Sequence, residues 1–215
     1  MVSKKSLGAG IALVLLLVLG YFYFYHAPAQ SVTTTTTTVG VTPTSNTQSV
    51  PPIYAINESF LPNPSNYFIS LLQNSTLQET LAPQGITGFK ASYFVEVSNK
   101  TAVKTDNVPI YAFSIIVIFN STASAVQEYD YLNNITIRQH TYSGLNVSTF
   151  QTPRIGNLTT GYVVFPEDTN QKAFLINLQY KNFAARLGVF ETLNSSSTAA
   201  IINLAQKVFS NLQRA

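Results

Sequence analysis

The chain has 215 residues, 46% of them hydrophobic and only 10% charged, with no cysteine and a net charge of +3. Ordinary soluble domains carry about 25% charged residues. With no Cys, one Met and two His, soft-metal chemistry such as haem, copper, iron–sulfur or structural zinc lacks its ligands. Setting Lys4 and Lys5 aside leaves ten basic against nine acidic residues, without a basic stripe or a glycine-rich phosphate loop, which excludes nucleic acid as a partner.

Residues 1–6 read as a cytoplasmic tail and residues 7–25 as a transmembrane helix. Leu7 to Tyr25 is apolar or aromatic throughout, and at 1.5 Å per residue it spans about 28 Å, close to the hydrocarbon thickness of a bilayer. Lys4 and Lys5 favour the cytoplasmic side, and the rings from Tyr21 to Tyr25 suit the headgroup level. Three treatments of this segment stay open. It is an uncleaved signal anchor, or it is cut after Ala29, where Ala27-Pro28-Ala29 supplies small residues. The third is processing after Ser6, where Lys5-Ser6-Leu7 resembles class III signals of archaeal pilins and sugar-binding proteins. Each sends the rest of the chain outward.

Residues 26–52 form a Thr/Pro-rich stalk with no apolar period, either O-glycosylated or bare. Residues 53–215 are long enough for one domain with its own core. With no disulfide available, burial has to stabilise it, and these residues include 12 Phe and 9 Tyr to bury.

Within that domain Ser65 to Leu81 is expected to be a helix, capped by Ser65, with Phe68, Leu71 and Leu72 on one side. Phe89–Val97 and Val108–Phe119 follow as strands, the second central because it is rich in β-branched and aromatic residues. Thr122 to Arg138 is a predicted helix with Ala125, Tyr129, Leu132 and Ile135 on one face and a capping box of Ser124 with Gln127. Leu145–Gln151, Gly161–Phe165, Ala173–Tyr180 and Phe183–Phe190 read as strands, the middle two joined by a hairpin at PEDTNQK. The last element, Ser196 to Leu212, is a helix with a stripe of Ile201, Leu204, Ala205, Val208 and Leu212. This order predicts an α+β fold, an antiparallel β-sheet with helices packed on one face. It resembles small exported lipoprotein-like α+β domains in element order, a likeness that brings no functional residue with it.

Eight N-x-S/T sequons lie beyond the stalk, at Asn57, Asn74, Asn99, Asn120, Asn134, Asn146, Asn157 and Asn194, and mark candidate N-glycosylation sites. Asn74 and Asn134 fall inside predicted helices and are the weaker sites. Scarce charge suits strongly acidic surroundings, where carboxylates lose their charge and ion pairs dissolve. Long anchor, Thr-rich stalk, dense sequons and few charges together resemble membrane-anchored, N-glycosylated envelope proteins of thermoacidophilic archaea. That resemblance implies a cell-surface role; the scarcity of ligand residues gives the expectation of no cofactor.

The residues that could carry chemistry are few. His140 stands just past a predicted helix with no G-x-S-x-G nearby and reads as an ordinary polar residue. Glu128 and Asp130, two apart on a helix, do not share a face, and with Arg138 they read as its solvated side. Glu167, Asp168, Thr169 and Asn170 could offer oxygens to Ca²⁺, but the spacing matches no EF-hand and a hairpin turn accounts for them. No catalytic, cofactor or metal residue is nominated. The expected role is a non-catalytic binding or structural module at the cell surface, partnered by the bilayer through residues 7–25 and by an envelope or membrane protein. The alternatives are an accessory subunit of a membrane complex, and a surface enzyme or carbohydrate-binding protein using carboxylates or aromatic rings.

Overall fold

The computed structural model describes residues 56–75, 85–101, 105–143, 145–165 and 170–214. The chain separates between Val50 and Pro51 into two units, and everything described belongs to the second. The transmembrane and stalk segments expected at residues 7–25 and 26–52 lie outside the described residues. Among those described, no helix is long and apolar enough to cross a membrane.

Two short 3-10 turns, Glu58–Phe60 and Pro64–Asn66, lead into β1 (Tyr67–Ser75), β2 (Phe89–Asn99) and β3 (Tyr111–Phe119). Helix α1 (Thr122–Ser143) follows, then β4 (Asn146–Phe150), β5 (Leu158–Phe165), β6 (Gln171–Tyr180), β7 (Phe183–Thr192) and helix α2 (Ala199–Arg214). The seven strands make one antiparallel sheet in the order β1-β2-β3-β7-β6-β5-β4, so the fold is α+β.

The helix expected over Ser65–Leu81 is instead β1, paired along its length with β2. The register slips between Ile69 and Leu71, so two residues of β1 pass one of β2. Such a bulge breaks the period-2 alternation, which hides a strand from a reading of periodicity. α1 is longer than expected and carries His140 within its last turns, since no residue before Gly144 strongly disfavours helix. Its cap is one turn earlier than expected: the Ser121 hydroxyl accepts the Ser124 amide at 3.1 Å.

The helices do not share a face. Cross-strand partners Ala112–Val189–Phe174, Ser114–Leu187–Ile176 and Ile116–Ala185–Leu178 form rows on one side of the sheet. Their apolar members share a core with Ile201, Leu204, Ala205, Val208 and Leu212, so α2 covers this side. Alternate residues, among them Arg186, Asn177 and Tyr162, point the other way and meet α1. β6 and β7 are accordingly buried at nine consecutive positions each, as strands covered on both sides must be.

The two interfaces differ in kind. The α2 stripe is wholly apolar and fully buried, worth about 6–12 kcal/mol relative to exposure for its four large side chains. Asn107, at φ 59°, accepts the Ser196 and Ser197 amides at 3.0 Å each, fixing the approach to α2. From the middle of α2, Lys207 donates to the carbonyls of Ser59 and Phe60, tying the helix to the entering chain. On the α1 side Tyr111 and Phe190 stack at 4.2 Å, and Phe113 lies against Gly188, where a Cβ would stand 2.1 Å from its ring.

Candidate functional site

α1 turns Ser124, Ala125, Glu128, Tyr129, Leu132 and Thr136 toward the sheet, so most of its buried stripe is polar. Helical spacing of three and four brings these side chains onto one face whatever their chemistry. Opposite them, Arg186 of β7 and Asn177 of β6 are adjacent pairing partners. Arg186 Nε donates to Asn177 Oδ1 at 3.0 Å, and Nη2 donates to Thr136 Oγ1 at 2.6 Å and to the Leu132 carbonyl. Thr136 Oγ1 donates to the same carbonyl at 2.9 Å. Asn133 Oδ1 accepts from Asn177 Nδ2 at 2.8 Å and from the Tyr162 hydroxyl at 3.1 Å. Tyr129 closes the layer through a hydroxyl contact with Thr160 at 2.5 Å.

Glu128 stands apart in this layer. Its carboxyl is fully buried, and neither oxygen has a hydrogen-bond partner. Burial pushes its pKa up to about 8, offset in part by the Arg186 charge. A carboxyl in this state is neutral through the acid range and at neutrality. Tyr131 and Tyr162 are raised too, chiefly by burial, so they do not ionise in the physiological range.

A second buried carboxyl, Glu191, lies on the α2 side at the end of β7, paired in register with Lys172. Burial raises its pKa; the Ser195 hydroxyl and the Lys172 ammonium oppose this, though neither makes a hydrogen bond of ordinary geometry to it. The Lys172 ammonium sits 5.5 Å from the Phe174 ring centre and 5.8 Å from that of Phe165. A shallow depression of about 330 Å³ opens between Tyr129 of α1 and the segment before β5, with Thr152, Pro153, Arg154 and Asn157 along its wall. Its lining offers one cation and no carboxylate.

Glu128 therefore corrects the expectation that it belongs to the solvated side; Asp130 and Arg138 are exposed, as expected. Asn177 and Arg186 went unnoticed in the sequence. Their signal was a lone Asn in AFLINL and a lone Arg in FAARLGVF, polar residues in strands otherwise fit for burial on both faces. Among the described residues no group of three His, Cys, Asp or Glu side chains comes together as metal ligands would. Glu167, Asp168 and Thr169 lie outside the described residues, as does the side chain of His140.

The sequons spread over the surface. Asn120, Asn134, Asn146, Asn157 and Asn194 are exposed, and Asn57 and Asn99 are half-buried. Asn134 lies on the outer side of α1, although Thr136 of the same sequon is buried under it. The Asn99 amide donates to the Pro109 carbonyl at 3.2 Å, and its oxygen accepts the Thr101 amide at 2.7 Å. Asn57 accepts from Ser59 of its own sequon. Asn74 is in β1, not in a helix, and its side chain lies outside the description.

No family model matches the chain, and no curated protein matches it either. Among solved structures it is similar to the extracellular domain of PknH from Mycobacterium tuberculosis. That match has 10% identity and a TM-score of 0.47, over 75% of this chain and 98% of that one. A likeness this distant carries no argument about what the chain does.

Proposed function

We propose that the chain is a single-pass membrane glycoprotein whose α+β domain faces out of the cell and works as a binding or structural module. The observation that carries this reading is the apolar run Leu7–Tyr25 behind Lys4 and Lys5, ahead of a Thr-rich segment. Exposure of five sequon asparagines, at Asn120, Asn134, Asn146, Asn157 and Asn194, supports N-glycosylation of the domain. Its partners are the bilayer and an envelope or membrane protein. The shallow depression beside Tyr129, lined by Thr152, Arg154 and Asn157, offers a polar surface for such contact.

Protease added to intact cells tests the orientation. Digestion of residues 53–215 without opening the cells is the expected result; a domain cut only after lysis overturns the reading. Mass spectrometry of the protein extracted in mild detergent then reports the mature N-terminus, the sugar load and any constant partner. A stoichiometric partner that survives extraction would favour the accessory-subunit alternative.

A further inference from the structure

Two helices cover one sheet by opposite chemistry: α2 seats five apolar side chains, whereas α1 seats a polar layer containing a carboxyl without hydrogen-bond partners. We propose that α1 is a proton-governed element, seated while the buried Glu128 carboxyl holds its proton and released from the sheet when that proton is lost, with α2 remaining docked.

A carboxylate in a dry interface needs donors aimed at it, and neither Glu128 oxygen receives any. The facing cation, Arg186 of β7, directs its Nε to Asn177 and its Nη2 to Thr136 and the Leu132 carbonyl. Its charge favours the ionised form, but less than burial opposes it. The other elements against α1 add little: β6 presents the neutral Asn177, β4 has no titratable residue, β5 has Tyr162 and β3 has Tyr111, both held protonated by burial. On α1 itself Asp130 and Arg138 are exposed, Tyr131 is raised, and Tyr129 is bound to Thr160. α1 also carries His140, a residue type whose ordinary pKa lies near neutrality. Ionisation of Glu128 is thus relieved by admitting water, and the polar α1 interface can admit water at lower cost than the apolar α2 interface.

The sign follows from linkage. A released α1 returns Glu128 to the ordinary carboxylate range, while the seated helix holds the proton to about pH 8. Between these limits the seated form binds one more proton, so release rises by about tenfold per pH unit. It levels off on either side of that window.

Hydrogen exchange followed by mass spectrometry on the full chain in detergent micelles, from pH 4 to 9, reads this directly. After correction for intrinsic exchange, the protection of α1 peptides is expected to fall with rising pH by about tenfold per unit, while α2 peptides hold theirs. Glu128→Gln should flatten the α1 profile, and His140→Gln should leave it unchanged. A flat α1 profile in the wild-type chain overturns the proposal. So does loosening toward acid, which would mean that Glu128 is charged against Arg186. Equal loss in α1 and α2, or a profile removed by H140Q, overturns it as well. If E128Q does not fold, the glutamate carboxyl resonance of the wild-type chain decides: a group titrating above neutrality is required.

Discussion

Glu128 and Arg186 lie under the same helix, the carboxyl without a hydrogen-bond partner and the guanidinium donating to three acceptors, and they respond differently to substitution. Arg186 supplies three acceptors in a buried layer, so Arg186→Ala takes the donor from Asn177 Oδ1 and from Thr136 Oγ1 and leaves the Leu132 carbonyl with the Thr136 hydroxyl. The expected loss is about 2–4 kcal/mol, read by denaturant unfolding. Glu128 works the other way. Its folded pKa is raised, so the stability it contributes is present in acid and lost as pH climbs through the ordinary carboxylate range toward about 8. E128Q, neutral at every pH, should therefore raise the melting temperature at pH 8 and leave it nearly unchanged at pH 4. An unchanged midpoint at pH 8 would show that the wild-type carboxyl does not suffer from its burial.

At the scale of elements, the apolar helix and the doubly covered strands carry the stability. Leu204 is fully buried in the α2 stripe, and Leu204→Ala should cost about 2–5 kcal/mol by chemical denaturation. Gly188 has no room for a methyl group because the Phe113 ring occupies its Cβ position. Gly188→Ala should cost about 1–3 kcal/mol through overpacking, and Phe113→Leu in the same chain should recover part of that. β2 to β7 and both helices were legible because the strands are rich in β-branched and aromatic residues and the helices carry a stripe. β1 was not, because the slip at Ile69/Leu71 puts apolar residues at intervals that imitate a helix.

For the whole molecule, scarce charge and two buried carboxyls point the same way. Few ion pairs are available for acid to break, and both Glu128 and Glu191 are raised by burial, so their protonation favours the fold. The domain is expected to keep its far-UV circular dichroism and a sharp melt near pH 3; a broad, non-cooperative trace there would sink the acid-adapted reading. The sequons add a prediction about order of events. Thr136 is buried under α1, so Asn134 should accept sugar only before folding, whereas Asn120 and Asn194 stay accessible afterwards. Site-by-site glycopeptide analysis should find Asn134 the least occupied of the five exposed asparagines.

What the sequence determined by itself is whatever depends on near neighbours: strand or helix for most elements, the apolar stripe of α2, and the α+β class. Pattern over a few residues sets these, because side-chain direction repeats every two or about 3.6 positions. Only the tertiary structure decided that the helices take opposite faces and that Glu128 is sealed in. The polar face of α1 looks solvated until β6 and β7, reached 44 to 54 residues later, bring Asn177 and Arg186 to meet it. Burial is a property of the partner as much as of the residue, and that partner is chosen by strand order, which local pattern does not encode.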